Sequence, residues 1–372
     1  MIGFKREIAG DKKMKNTDRQ SIASATSVST SIGAGRRATI LDVAQACGVS
    51  PATVSNVLAN KPHVSEATRK LVHEKVSELG YRASATARGF RLQRSWSVAL
   101  VIGDIANPFN PEVVRGVEDT LWEMNNNLIL CNTDSKSQRK IAYVQSLLDK
   151  QIDGLIMLSQ SFTSDEVAAL DLSQLPPIVT INRTSEFLSS DHVALNNESG
   201  TAALMGHLIS LDHQRIAFIK GLASSSAATA RFDGYRKAME EAGLQIFDEY
   251  VAGGDYTMEA GAAAARYFLD LQEPPTAIFA ANDLMALGVL GVLRERQVNV
   301  PQQISVAGFD DIDMSAHPLI NLTTVRQPKR ESGIAAARLL LERIASKNSL
   351  PHRCITIEPE LVIRGTTAPP GS

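Results

Sequence analysis

From Trp96 onward short apolar runs alternate with amphipathic segments, and this alternation limits the fold more than any other feature of the chain. The runs SVALVIGDI, LILCNTD, GLIMLS, PIVTIN, RIAFIKG, AIFAAN and ISVAGFD read as strands. Between them, PEVVRGVEDTLWEM, ESGTAALMGHLISLD and DLMALGVLGVLRERQ carry apolar residues at helical spacing. Strands apolar on both faces need helices on both sides, which predicts parallel sheets in an α/β body. Residues 95–367 are too many for one such sheet, so the pattern predicts two doubly wound lobes around a cleft. In sheets of this kind ligands sit beyond the carboxyl ends of the strands. Residues 368–372 read as a flexible tail.

The N-terminal quarter has a different texture. Residues 1–37, which include SIASATSVSTSIGAG, are polar with little apolar periodicity and read as a disordered leader. Residues 38–82 then read as three short helices. Thr39 caps the first, with Asp42 at its third position, and Ile40, Val43, Ala44 and Cys47 share one face. Gly48 stops it, Ser50 caps the second, and Pro51 sits where a missing N–H costs nothing. A third runs from Ser65 to Leu79, with Leu71, Val72 and Val76 expected inward. Two short helices joined by a three-residue turn form a helix-turn-helix, whose second helix reads bases in the major groove. That helix presents Pro51, Ala52, Thr53, Ser55 and Asn56: Asn pairs bidentately with adenine, and the two hydroxyls bond phosphate. A helical bundle with no nucleic-acid role would give the same periodicity.

Charge separates the two regions. Residues 1–94 hold 16 Lys+Arg against 7 Asp+Glu, and the remainder holds 22 against 33. A basic head on an acidic body fits a chain in which only the head meets a polyanion, although residues 1–37 alone supply eight of those cations. No apolar run approaches the roughly 20 residues of a membrane span, and the polar start predicts no signal peptide, hence a cytoplasmic protein without membrane partners. Cys47, Cys131 and Cys354 stand apart without a CxxC pair and read as small buried hydrophobes. Nucleophile elbow, P-loop, GxGxxG turn and paired metal-ligand histidines are all missing from the sequence, so neither an enzyme nor a cofactor is expected.

Residues 38–81 resemble the headpiece of the LacI/GalR family of bacterial transcription regulators: T-I-x-D-V-A at 39–44, G-V-S at 48–50, T-V-S at 53–55 and V-S-x-x-T-R at 64–69. The likeness continues through VRGVED at 114–119, ANDLMALG at 281–288, ISVAGFDD at 304–311 and TTVRQP at 323–328. The resemblance implies a small all-α helix-turn-helix headpiece plus an α/β periplasmic-binding-protein-like body of two doubly wound parallel-sheet lobes. It implies a homodimer on a pseudo-palindromic double-stranded DNA operator, probed by Thr39, Ser50, Pro51, Ala52, Thr53, Ser55, Asn56 and His63. Residues 83–94 correspond to the family's hinge helix, with Ser84 and Arg88 on DNA and Phe90 at the position of an apolar minor-groove wedge. Ala83 stands where relatives commonly carry Pro, and Gly89 weakens a short helix by about 1 kcal/mol relative to Ala. An ordinary linker is the other reading of that segment.

The positions matching the family's effector pocket are Asp104, Asn107, Phe109, Asn182, Arg183, Arg231, Tyr256, Asn282, Asp310 and Gln327. Carboxylate and amides suit sugar hydroxyls, and Phe109 or Tyr256 suits the apolar face of a sugar ring. Relatives often have Asp where this chain has Asn182. An interlobe ion pair would explain Arg183 equally well, and Asp283 and Asp311 read as helix or turn caps. The expectation is a repressor of carbohydrate-related genes answering to a sugar-like effector. A solute-binding protein without specific DNA readout and a nucleobase-responsive regulator are the alternatives.

Overall fold

Thr39 closes a reciprocal cap on the first helix, its backbone N–H donating to Asp42 Oδ2 (2.7 Å) while Asp42 N–H donates to Thr39 Oγ1 (3.4 Å). In the computed structural model, which describes residues 38–81, 94–171, 174–183, 187–223 and 225–371, this helix opens the first of two units. The leader 1–37 and the hinge positions Ser84, Arg88 and Phe90 lie outside the described residues. Helix α1 spans Ile40–Cys47 and ends at Gly48 in the left-handed region (φ 63°). Ser50 caps α2 (Pro51–Leu58), and Ser65 caps α3 (Glu66–Glu78). Val43, Ala44, Cys47, Val54, Val57 and Val72 form a small core. Leu71, expected inward, is exposed, because the shared face falls on Val72 and Val76 one turn apart.

The second unit holds two α/β lobes. The first contains β1 (Ser97–Ile102), α4 (Phe109–Glu123), β2 (Asn127–Asn132), α5 (Ser137–Asp149), β3 (Gly154–Leu158), α6 (Ser164–Ala168), β4 (Ile178–Ile181) and β5 (Asp191–Leu195). The second contains α7 (Asn197–Ser210), β6 (Ile216–Ile219), α8 (Ser226–Glu241), β7 (Val251–Ala252), α9 (Met258–Leu269), β8 (Ala277–Ala280), α10 (Asp283–Glu295), β9 (Ser305–Ala307) and β10 (Thr324–Arg326). The chain then returns with α11 (Lys329–Ala345) and β11 (Cys354–Ile357) to the first lobe, and β12 (Glu360–Val362) pairs antiparallel with β10. The larger sheet has the order β11-β5-β4-β3-β1-β2 and the smaller β7-β6-β8-β9, and all pairings within them are parallel. Each of the seven sequence-predicted runs contains a strand. β5, β7, β10, β11 and β12 escaped notice because they are short or polar.

Strands β1, β3 and β4 are buried almost throughout, as helices on both faces require. Helix α11 carries Ala336, Ala337, Leu339 and Leu340 into the core of the first lobe, against Val113 and Val117 of α4. The two helices cross with no room for a side chain: a Cβ on Gly116 would lie 2.1 Å from Arg330 O, and one on Gly333 2.2 Å from Val113 O. The second lobe repeats the device where α9 meets α10, through Gly261 and Gly288. Three connections join the lobes, at 195–197, 326–329 and 357–360.

Cys47 and Cys131 are buried as expected, but Cys354 is exposed, because β11 is an edge strand. Ala368, where the tail was expected to begin, accepts a hydrogen bond from buried His213 Nε2 (2.9 Å) and donates through its N–H to Ser305 Oγ (3.1 Å).

Candidate effector cleft and DNA-reading helix

Strand ends in the second lobe deliver a buried polar cluster. Arg231, on α8, is 4% exposed. Its Nε donates to Asn197 Oδ1 (2.8 Å) and its Nη1 to the Ala281 carbonyl, while Nη2 lies 3.4 Å from Asp310 Oδ1. The guanidinium rests over the Phe309 ring, 3.9 Å from its centroid. Gln327 Nε2 donates to the same Asp310 Oδ1 (2.6 Å), leaving the buried Gln327 Oε1 without a partner among the described residues. Burial pushes the Asp310 carboxyl up, and Arg231, Gln327 and Lys329 pull it only partly back.

Three further expected residues adjoin this cluster. Tyr256 OH lies 3.2 Å from Ser225 Oγ, and its ring packs against Gly221. Asn282 caps α10 by accepting from Met285 N–H (3.0 Å), and its Nδ2 donates to the Tyr256 carbonyl (3.2 Å). Asn282 therefore holds the site's backbone as well as lining it. From the first lobe, the Asn182 carbonyl at the end of β4 accepts from Ser226 Oγ of the second (3.2 Å), and Asn182 Oδ1 is buried without a partner among the described residues. Tyr256 and Asp310 have positive φ (71° and 119°), costly for a bulky side chain and for a residue outside the left-handed well, whereas Asn182 (66°) occupies the left-handed well that Asn tolerates.

The other expected residues are placed differently. Asp104 and Asn107 use their carboxylate and amide oxygens on Ala106 N–H (2.9 Å) and Phe109 N–H (3.0 Å) within their own turn. Phe109 is buried in the first lobe's core, and Arg183 is half-buried beside Asn182. Asp283 is no cap of its own helix. It is fully buried and accepts from Ile312 N–H (2.9 Å), Ser315 Oγ (2.7 Å) and Thr324 Oγ1 (2.5 Å). Burial, and then the charge on Asp310, push its carboxyl up to about 6. Asp311 pairs with Arg326 (2.8 Å) and Arg364 (2.6 Å). Asn197, Phe309 and Lys329 contact the Arg231–Asp310 pair but were not singled out in the sequence, since their partners lie far away along the chain.

In the first unit, Pro51 and Ala52 are exposed at the start of α2, and Thr53, Ser55 and Asn56 are half-buried beside them. The Ser50 and Thr53 hydroxyls lie 2.9 Å apart, and Ser50 Oγ also accepts from Thr53 N–H (3.1 Å), so both serve the cap before any phosphate. His63 is exposed. Arg69 fixes the loop after α2, donating to Asn60 Oδ1 (2.7 Å) and the Lys61 carbonyl (2.9 Å). Residues 38–81 carry four Lys+Arg and four Asp+Glu, so the basic excess noted above belongs to the flanking segments.

A capped helix-turn-helix followed by two parallel-sheet lobes is the architecture of a ligand-responsive DNA-binding regulator. The description "Bacterial regulatory proteins, lacI family" matches residues 39–84, and "Periplasmic binding protein-like domain" matches residues 205–367. The chain belongs to the LacI family of bacterial transcriptional regulators. It is 35% identical to the HTH-type transcriptional repressor PurR of Photobacterium profundum over 327 residues, covering 88% of this chain and 98% of that one. It is 36% identical to the ribose operon repressor of Escherichia coli over 329 residues, covering 88% and 99%. Among solved structures, the lac repressor dimer bound to operator and an anti-inducer superposes with a TM-score of 0.80 at 26% identity, covering 90% of this chain and all of that one. Among the described residues no helix is long and apolar enough to cross a membrane.

Proposed function

We propose that the protein represses carbohydrate-related genes from a pseudo-palindromic operator, as a cytoplasmic homodimer, under control of a small sugar-like effector in the interlobe cleft. The observation that carries this reading is the Arg231–Asp310–Gln327 cluster. A buried guanidinium, a buried carboxylate and an orphaned amide oxygen together offer donors and acceptors in the fixed geometry that vicinal hydroxyls need. Trp122 (74% exposed) and Met124 (61%), two residues apart at the end of α4, put two large apolar side chains in solvent together, as a surface covered by a second copy would. Two headpieces related by a twofold axis would read two half-sites. Asn56 is the side chain assigned to direct base contact, the hydroxyls of Thr53 and Ser55 to the backbone, and Phe90 to the minor-groove wedge.

Effector binding changes operator affinity only if the ligand prefers one of two arrangements of the lobes. The test has two parts. Selection of genomic fragments with purified protein at physiological salt is expected to return a few sites sharing one short palindrome. Melting of the protein with monosaccharides, sugar acids, polyols and nucleobases is expected to show stabilisation by a member of the sugar classes. Diffuse, salt-labile DNA capture would remove the specific-operator reading, and stabilisation by a nucleobase alone would replace the sugar with that ligand.

A further inference from the structure

Lys329 is the first residue of α11, at the second of the three connections between lobes, and is 3% exposed. Its ammonium donates to the carbonyls of Asp310 (2.8 Å) and Asp311 (2.7 Å) in the second lobe. On the other side it lies 3.1 Å from Glu112 Oε1, in the first turn of α4 in the first lobe. An ammonium has three N–H groups, and here three acceptors from two lobes surround it. Asp310 is thus held at both ends: its carboxylate faces Arg231 and Gln327, and its carbonyl is bound by Lys329. On the far side, α4 and α11 are locked by the Gly116–Gly333 crossing, and Arg330 adds a bond from Nη2 to Asp119 Oδ2 (2.6 Å). A displacement of Asp310 therefore reaches α4 by two routes that share Lys329: directly through the Glu112 contact, and through the locked helix α11 on which Lys329 stands.

We propose that Lys329 is a positioning residue that sets the angle between the lobes and couples the position of Asp310 to helix α4. This rests on the reading of the cleft as the effector site in what it says about signalling, but not in what it says about lobe geometry. The Lys329 ammonium is shielded from water, whereas Glu112 retains 45% exposure and survives replacement without a buried vacancy. Glu112→Ala removes the direct bond to α4 and leaves Lys329 on α11 with its two second-lobe carbonyls, and Lys329→Met removes all three bonds at nearly constant length.

The experiment uses the full chain with Cys354→Ser and nitroxide labels on Ser164→Cys and Glu259→Cys, exposed sites in the first and second lobes. Without ligand, and with labelled chain diluted in excess unlabelled chain so that each dimer carries one labelled protomer, the parent is expected to give one narrow interlabel distance distribution, and both Glu112→Ala and Lys329→Met a broader one. The second arm uses D-ribose as probe and measures ribose affinity and operator affinity separately. Coupling in the parent is expected in the usual range of about 5–150-fold, and in Glu112→Ala to fall below about 2-fold with ribose affinity kept. Lys329→Arg, which still bridges, is expected to restore the narrow distribution. Unchanged distances in Glu112→Ala overturn the proposal, including where Lys329→Met does not fold. If the parent binds neither ribose nor any selected DNA, the effector reading falls while the distances still decide the role of Lys329.

Discussion

Arg231 sits over the ring of Phe309, 3.9 Å from guanidinium carbon to centroid, and the next residue in the chain is the Asp310 it pairs with. One side chain thus meets both faces of a two-residue step at the end of β9, an apolar one and a charged one. Removing one member of a buried pair leaves the other uncompensated, at a cost of about 3–5 kcal/mol. Arg231→Ala is expected to lower stability by that amount in urea unfolding and to abolish sugar stabilisation. Asp310→Asn keeps the shape and is expected to leave operator binding intact while the ligand response disappears. A full response in Asp310→Asn, measured by operator titration with and without ligand, would remove Asp310 from the pocket.

Asn56 is assigned the main base contact of α2 because Pro51 and Ala52 carry no side-chain donor or acceptor. Asn56→Ala is expected to cost about 1–3 kcal/mol on the selected operator and little on random DNA. Equal loss on both sequences, in paired titrations at one salt concentration, would assign Asn56 to the backbone instead.

The glycine crossing in the first lobe gives a stability prediction independent of any ligand. Gly333→Ala places a methyl against the Val113 carbonyl, where neither helix backbone can yield locally. Overpacking of this kind costs about 1–3 kcal/mol, read as a shift in urea midpoint. A neutral outcome would mean that the helices slide apart freely.

Asp283 carries a pH signature. Its carboxyl is raised to about 6 in the folded state, whereas an unfolded chain titrates near 3.9. The folded state therefore holds the proton more tightly, so this group's contribution is fully present below about pH 4 and is lost as pH rises through about 6. The difference amounts to about 3 kcal/mol. Groups such as Glu166, held low by Lys140 and Ser137 against the pull of burial, act in the opposite sense, so the contribution is isolated by comparison with Asp283→Asn. Parent minus variant stability is expected to fall between pH 4 and 6, and a flat difference would contradict the assignment.

How much of this was legible in the sequence depends on the range of each interaction. Caps are local: Thr39 and Ser50 were readable because the N–H each accepts is three residues away, and Ser65, read as the start of the third helix, proves to be its cap in the same way. Continuous apolar runs such as GLIML announced β3 directly, whereas DHVAL in β5 begins with an aspartate whose partner, Arg343, lies 152 residues on. The cluster at Arg231 and Asp310 was reached through the family motifs. Lys329 was not, because its acceptors are two backbone carbonyls and a carboxylate on a helix more than 200 residues earlier, none of which marks the sequence around it. Asp104, Asn107 and Phe109 show the converse, since a motif position can be occupied by residues whose bonds and packing are spent on their own turn and core.

The notched contact between α4 and α11 has a mechanical consequence. Helices that touch backbone to backbone have no compliant layer between them, so they pivot as a single beam. Helix α4 has its Glu112 end beside the crossover and its Trp122 end at the surface, separated by about 15 Å of rigid rod. A small rotation at the first end is carried to the second by the rod itself, with α11 travelling alongside through the Gly116–Gly333 contact.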